Sequence, residues 1–171
     1  LEGAGRGGHD QDHGPPEGGH HGAVLELQRG VPALVAASGC PLCAGASAPA
    51  IWRDEALRVV SAGDPDYPGF LRVVWHAHVR EMTDLPPADR EHCLRVVMAV
   101  EQALRHVLRP DKVNLACLGN QVPHLHWHVI PRFADDAHFP DPVWAARRRA
   151  GVPRRLDLER FATGLAQALV C

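Results

Sequence analysis

Long apolar runs are missing from this sequence. Nowhere do about 18 apolar residues follow one another, so it offers no helix to cross a membrane. The apolar stretch 31–37 is short and lacks a basic leader of the required form, which argues against a secretory signal. Lysine is almost missing: Lys112 is the only one, and every other basic side chain of this kind is arginine. That bias runs through the whole chain and reads as compositional rather than as a phosphate-binding patch. Excess charge is missing too. A net charge of −2 excludes strong non-specific attraction to nucleic acid or to an acidic membrane surface. No Gly-x-x-x-x-Gly-Lys-Ser/Thr loop occurs, so nothing calls for a phosphate cradle of that kind. The five cysteines are odd in number with one close pair, Cys40 and Cys43, which fits a reduced, cytoplasmic protein better than a disulfide framework.

What is present suffices for one domain. The chain has 171 residues, 46% hydrophobic and 22% charged, ordinary values for a soluble globular protein. Residues 1–22 are Gly, His, Asp, Glu and Pro with almost nothing apolar, and cannot bury enough surface to order themselves. His9, His13, His20 and His21 there could chelate metal adventitiously, but composition favours a disordered tail. Residues 24–37 allow at most a marginal helix as far as Pro32. We therefore expect a poorly ordered extension over 1–39 and a folded domain over 40–171.

Within that domain, alternation of apolar and polar residues predicts strands over 51–53, 57–61, 70–75 and 113–118. The turn-rich segment 63–69 joins the second and third of these as a hairpin. Residues 84–109 read as one long helix. Pro86 and Pro87 sit before or at its first turn, Leu94, Val97, Met98, Leu104, Val107 and Leu108 form its apolar stripe, and Pro110 closes it. Asp157 caps a last amphipathic helix bearing Leu158, Phe161, Leu165, Ala168 and Leu169. Hairpin connections around one long helix predict an α+β fold with an antiparallel sheet flanked by helices.

The chemistry concentrates in Asn120-Gln121-Val122-Pro123-His124-Leu125-His126-Trp127-His128-Val129-Ile130. Three histidines alternate with Leu125, Trp127 and Val129. On a strand this places three imidazoles on one face, about 6.7 Å apart, and three apolar groups on the other. Imidazoles so arranged could ligate a metal. They could equally attack a phosphorus and hydrogen-bond its oxygens. The Cys40-Pro41-Leu42-Cys43 knuckle admits three readings: half of a zinc site, a redox pair, or two buried idle cysteines.

Residues His124 to Ile130 match, position by position, the His-apolar-His-apolar-His-apolar-apolar signature of the histidine-triad family, and the chain resembles that family more loosely over 40–132. The resemblance implies its fold, an antiparallel sheet flanked by helices, with homodimers that join their sheets. It implies hydrolysis or transfer at the α-phosphate of a small nucleotide conjugate, with no role for nucleic acid or membrane. His126 would be the nucleophile, forming a nucleotidyl-histidine that water then cleaves, and His128 would hydrogen-bond phosphoryl or leaving-group oxygens. Asn120 would be the phosphate-side amide, with Gln121 beside it and Asn114 as a second candidate. Cys40, Cys43, His78 and His124 would hold a structural zinc, and no catalytic metal is required. The sequence departs from the family at Phe70, where many relatives carry His after Pro-Gly, and in the short 119–121 turn, where many have a Gly-rich loop. Two rival readings are a nucleotide-binding or scaffold protein with vestigial catalysis, and a zinc hydrolase using the triad as ligands. The second normally belongs to larger barrels of about 250 residues.

Overall fold

The structure, a computed structural model, describes residues 38–44 and 49–170. The expected extension over 1–39, with its four histidines and its marginal helix, lies outside the described residues except for Ser38 and Gly39, as does Cys171. Five strands form one antiparallel sheet: β1 (Ala50–Arg53), β2 (Leu57–Ser61), β3 (Leu71–Trp75), β4 (Lys112–Cys117) and β5 (His126–Arg132). Their spatial order is β1-β2-β3-β5-β4, which leaves β5 between two neighbours and β4 at an edge. Among the described residues two α-helices complete the fold, α1 (Pro87–Leu108) and α2 (Leu158–Val170). The α+β architecture expected from the sequence is therefore present.

The two faces of the sheet differ in chemistry. Leu57, Val59, Leu71, Val73, Trp75 and Val129 bury one face against Val96, Val97, Val100 and Leu104 of α1. Helix α2 packs on α1 and adds Phe161 and Leu165 to that core. Each such side chain contributes about 1.5–3 kcal/mol by leaving water. The opposite face carries His126, His128 and Arg72, with Val60 and Val74 buried beneath the Cys40–Leu42 segment.

Two details of α1 depart from the sequence reading. The helix starts at Pro87 rather than at 84, because Leu85 precedes a proline and is extended (φ −83°, ψ 147°). Met82–Asp84 form a separate 3₁₀ turn. The expected apolar stripe also holds only in part: Val97 and Leu104 are buried and Val107 and Leu108 pack on the core. Leu94 and Met98 are 39% and 45% exposed, while Cys93, Val96, Ala99, Val100 and Ala103 are buried. Small residues let α1 approach the sheet and α2 closely: Ala103 lies 3.8 Å from where a Cβ on Gly164 would stand. At its far end α1 runs past Gly69. A Cβ there would meet Leu108 at 2.6 Å and Pro131 at 2.8 Å, so this tight crossing between helix and strand requires glycine.

Candidate active site and metal-ligand cluster

Strand β5 begins at His126, not at His124. Pro123 has no N–H to give a ladder, and the two residues after it make other bonds. The Leu125 N–H donates to the Val79 carbonyl at 2.7 Å, and the His124 N–H to the Val122 carbonyl at 2.8 Å. The expectation of three imidazoles on one strand is narrowed accordingly: His124 lies just before the strand, while Leu125, Trp127 and Val129 do alternate to the helix side. His126 and His128 share the face, with ring centroids 4.8 Å apart, while His124 is turned towards the cysteines.

His124 is fully buried, and its Nε2–H donates to the Trp75 carbonyl at 2.6 Å. A carbonyl oxygen only accepts, so this bond places the proton on Nε2 and leaves Nδ1 as the lone pair. That Nδ1 lies 3.5 Å from Cys40 Sγ and 3.4 Å from Cys43 Sγ, and His78 Nδ1 lies 3.3 Å from Cys43 Sγ. The four ligand atoms of Cys40, Cys43, His78 and His124 all fall within 4.8 Å of one another. Zn–S and Zn–N bonds of about 2.3 and 2.0–2.1 Å at the tetrahedral angle give S···N edges of about 3.5 Å, so the cluster fits zinc. The Trp75 carbonyl stands where the outer partner of a metal-ligating imidazole would stand. Burial first, then the nearby His78 ring and Arg58, hold the His124 pKa below the usual histidine value despite the opposing bond to Trp75.

His126 uses the other nitrogen. Its Nδ1–H donates to the His124 carbonyl at 2.6 Å, leaving Nε2 with the lone pair. His126 and His128 are each 7% exposed and line an open cleft of about 820 Å³ together with Arg72, Asn120, Gln121 and Trp144. Burial and the Arg72 guanidinium push the His126 pKa down. Burial, the neighbouring His126 ring and Arg72 hold His128 down at about 4. Both imidazoles are therefore neutral at physiological pH, as a nucleophile or neutral hydrogen-bonding group requires. The Nδ1 of His128 is buried without a hydrogen-bond partner.

Asn120 and Gln121 reach this cleft, but Asn114 is not among its lining residues. Its Oδ1 accepts from Arg132 Nη1 at 2.9 Å instead. Arg132, 2% exposed, belongs to a polar network that the sequence reading did not find. It donates to both carboxylate oxygens of Asp136, from Nε at 2.7 Å and from Nη2 at 3.0 Å. The Tyr67 hydroxyl donates to Asp136 at 3.0 Å and lies 2.7 Å from His138 Nδ1. This network fastens the segment after β5 to the sheet, and that segment carries Trp144, whose ring meets His128 edge-on at 5.6 Å. Arg147 and Arg148 pair with Asp66 and Asp141 at the surface. Arg72 and Trp144 were also missed. Arg72 had a signal, an arginine interrupting the apolar run of a strand next to the triad; Trp144 had none.

A model of the HIT domain matches residues 46–135. The chain is 31% identical over 81 residues to an AP-4-A phosphorylase from Mycobacterium tuberculosis (strain CDC 1551 / Oshkosh), covering 44% of this chain and 42% of that protein. It thus spans less than half the length of that curated relative. The crystal structure of a histidine triad protein from Bradyrhizobium japonicum has 30% identity and a TM-score of 0.58, covering 71% of this chain and 90% of that one. A zinc-bound histidine triad family protein from Mycobacterium smegmatis has 27% identity and a TM-score of 0.50, covering 77% and 94%.

Proposed function

The chain belongs to the histidine-triad family, and from that premise we propose that it transfers the nucleotidyl group of a nucleotide conjugate, breaking the bond at its α-phosphate through a covalent nucleotidyl-histidine. The substrate is of the dinucleoside polyphosphate or nucleoside phosphoramidate type. The observation that carries the reading is the bond from His126 Nδ1 to the His124 carbonyl, which aims a lone pair on Nε2 into a cleft whose described lining holds no carboxylate.

Nε2 of His126 attacks phosphorus. The N–P bond forms, the bond from phosphorus to the leaving group breaks, and its electron pair departs with that group. The positive charge left on the ring is stabilised by the His124 carbonyl through Nδ1–H. Water then attacks the same phosphorus and frees His126; inorganic phosphate in its place would make the reaction a phosphorolysis. His128 hydrogen-bonds the phosphoryl or leaving-group oxygens, and Asn120 and Gln121 offer amides on the phosphate side. Zinc held by Cys40, Cys43, His78 and His124 would have four protein ligands and no open position, and supplies rigidity rather than chemistry. Thiolate ligands suit a reducing compartment, and we place the protein in the cytoplasm.

Turnover of a panel containing adenosine phosphoramidate, a dinucleoside tetraphosphate and a nucleotide sugar, with and without chelator, tests this reading. We expect turnover of at least one, with no immediate loss on chelation. Prompt, metal-reversible loss would favour the zinc-hydrolase reading, against which the separation of His126 and His128 from the cysteine cluster already counts. We also propose a homodimer joined through the open edge of β4, supported by the exposed Leu118 directly after that strand. A monomeric mass in sedimentation would refute it.

A further inference from the structure

Arg72 is the second residue of β3, opposite His128 in the ladder to β5. It lines the same cleft as His126 and His128. No carboxylate among the described residues pairs with it, its Nε is buried without a hydrogen-bond partner, and the Phe70 ring centroid lies 6.0 Å from its Cζ. An unpaired guanidinium half out of water is costly, and folds retain such groups where function requires them. His128, 7% exposed, also leaves its Nδ1 buried without a hydrogen-bond partner. Arg72 and His128, each with an orphaned polar atom, line one cleft with no described acid in its lining, which calls for a single partner rich in acceptor oxygens and negative charge.

We propose that Arg72 selects substrates whose leaving group is itself a phosphate chain, so that dinucleoside polyphosphates are preferred to nucleoside phosphoramidates. This rests on the function proposed above and narrows it. When the bond to phosphorus breaks, a polyphosphate leaving group departs as an anion, and its bridging oxygen takes the electron pair. A fixed cation stabilises that developing charge, and no proton has to move. An amine leaving group needs a proton, which arginine cannot supply because it stays protonated above any working pH. Arg72 therefore assists departure of the leaving group in the first class and not in the second.

The test compares kcat/KM for a dinucleoside tetraphosphate and for adenosine phosphoramidate in the wild type, Arg72→Ala, Arg72→Gln and Arg72→Lys, with His126→Ala as control. We expect the wild type to prefer the tetraphosphate. Arg72→Ala and Arg72→Gln should lose about 10²–10³-fold on it and less than about threefold on the phosphoramidate. Arg72→Lys, which keeps the charge, should recover part of the loss. A purely structural role would lower both activities together, so equal losses overturn the proposal, as does a wild type that prefers the phosphoramidate. If the alanine variant melts early, the glutamine and lysine variants carry the comparison. Retained turnover in His126→Ala would instead overturn the covalent mechanism, which keeps the two failures distinct.

Discussion

His124 and His126 lie two residues apart. Both are buried, and both donate to a backbone carbonyl at 2.6 Å, yet from opposite ring nitrogens. His124 gives Nε2–H to Trp75 and turns Nδ1 to the two sulfurs. His126 gives Nδ1–H to His124 and turns Nε2 to the cleft. Residue type and burial are the same, so neither decides what each ring does. The placement of a carbonyl decides it, and that follows from where the strand begins. Before β5 the backbone is out of the ladder, and His124 reaches across to the end of β3. Within β5 the ring of His126 folds back on its own preceding carbonyl. One ring thereby turns its lone pair to the cysteine cluster, and the other keeps its lone pair on Nε2 beside the cleft.

The comparison is broken most severely by removing the ring that faces the cleft. His126→Ala should keep its fold and its metal but lose more than about 10⁴-fold in turnover, beyond the ~10²–10⁴-fold typical of losing a general acid or base. Turnover above a few per cent of wild type, measured on the best substrate of the panel, would contradict the nucleophile assignment. A smaller effect on activity, with a larger one on stability, is expected on the other side. Cys40→Ser should bind less than one zinc per chain and melt earlier than the wild type. Its turnover should fall only as the triad loses order, by about tenfold or less, because ligands far apart in sequence are tied through the metal. Elemental analysis beside a melting curve checks this; a metal-free wild type with full stability and activity would remove zinc from the account.

The third prediction sharpens the contrast by moving to the other end of β5, where an ion pair, rather than a Cys/His cluster, joins the chain. Burial raises the Asp136 pKa, but the bonds from Arg132, from the His138 and Phe133 N–H groups and from Tyr67 more than offset it and hold the carboxyl well below the usual range. A depressed carboxylate contributes stability above its unfolded value, about 3.9, and that contribution is lost as pH falls through the folded value. Asp136→Asn should therefore cost about 3 kcal/mol or more at neutral pH, because Arg132 keeps a buried charge without its partner. The gap between wild type and variant should narrow in melting curves taken progressively below about pH 4. A gap that stays constant with pH would mean the pair does not act as an ion pair.

Much of this was legible in the sequence, for identifiable reasons. Alternation in 57–61 and around His124–Ile130 reports directly on a half-buried strand, and Leu125, Trp127 and Val129 do face the helix side of the sheet. The helix stripe was right at Val97, Leu104, Val107 and Leu108 and wrong at Leu94 and Met98, because bulk was weighed above period. Leu94 and Met98 are large but lie at the edge, while the buried row runs through Cys93, Val97, Val100 and Leu104. The pairing of Arg132 with Asp136 and the approach of Trp144 to His128 depend on how an irregular segment folds back, and local sequence carries no period for that. The opposed nitrogens of His124 and His126 were out of reach for the same reason, since they depend on carbonyls placed by tertiary structure.

The central claim is that His126 Nε2 bonds to phosphorus. It is tested most directly by mixing enzyme with excess substrate, quenching into base within the first turnovers, and mapping the added mass by peptide fragmentation. The account predicts one nucleoside monophosphate attached to His126, absent from His126→Ala and still formed in Cys40→Ser. The same mass on His128, or a full burst of product with no modified histidine, would contradict it.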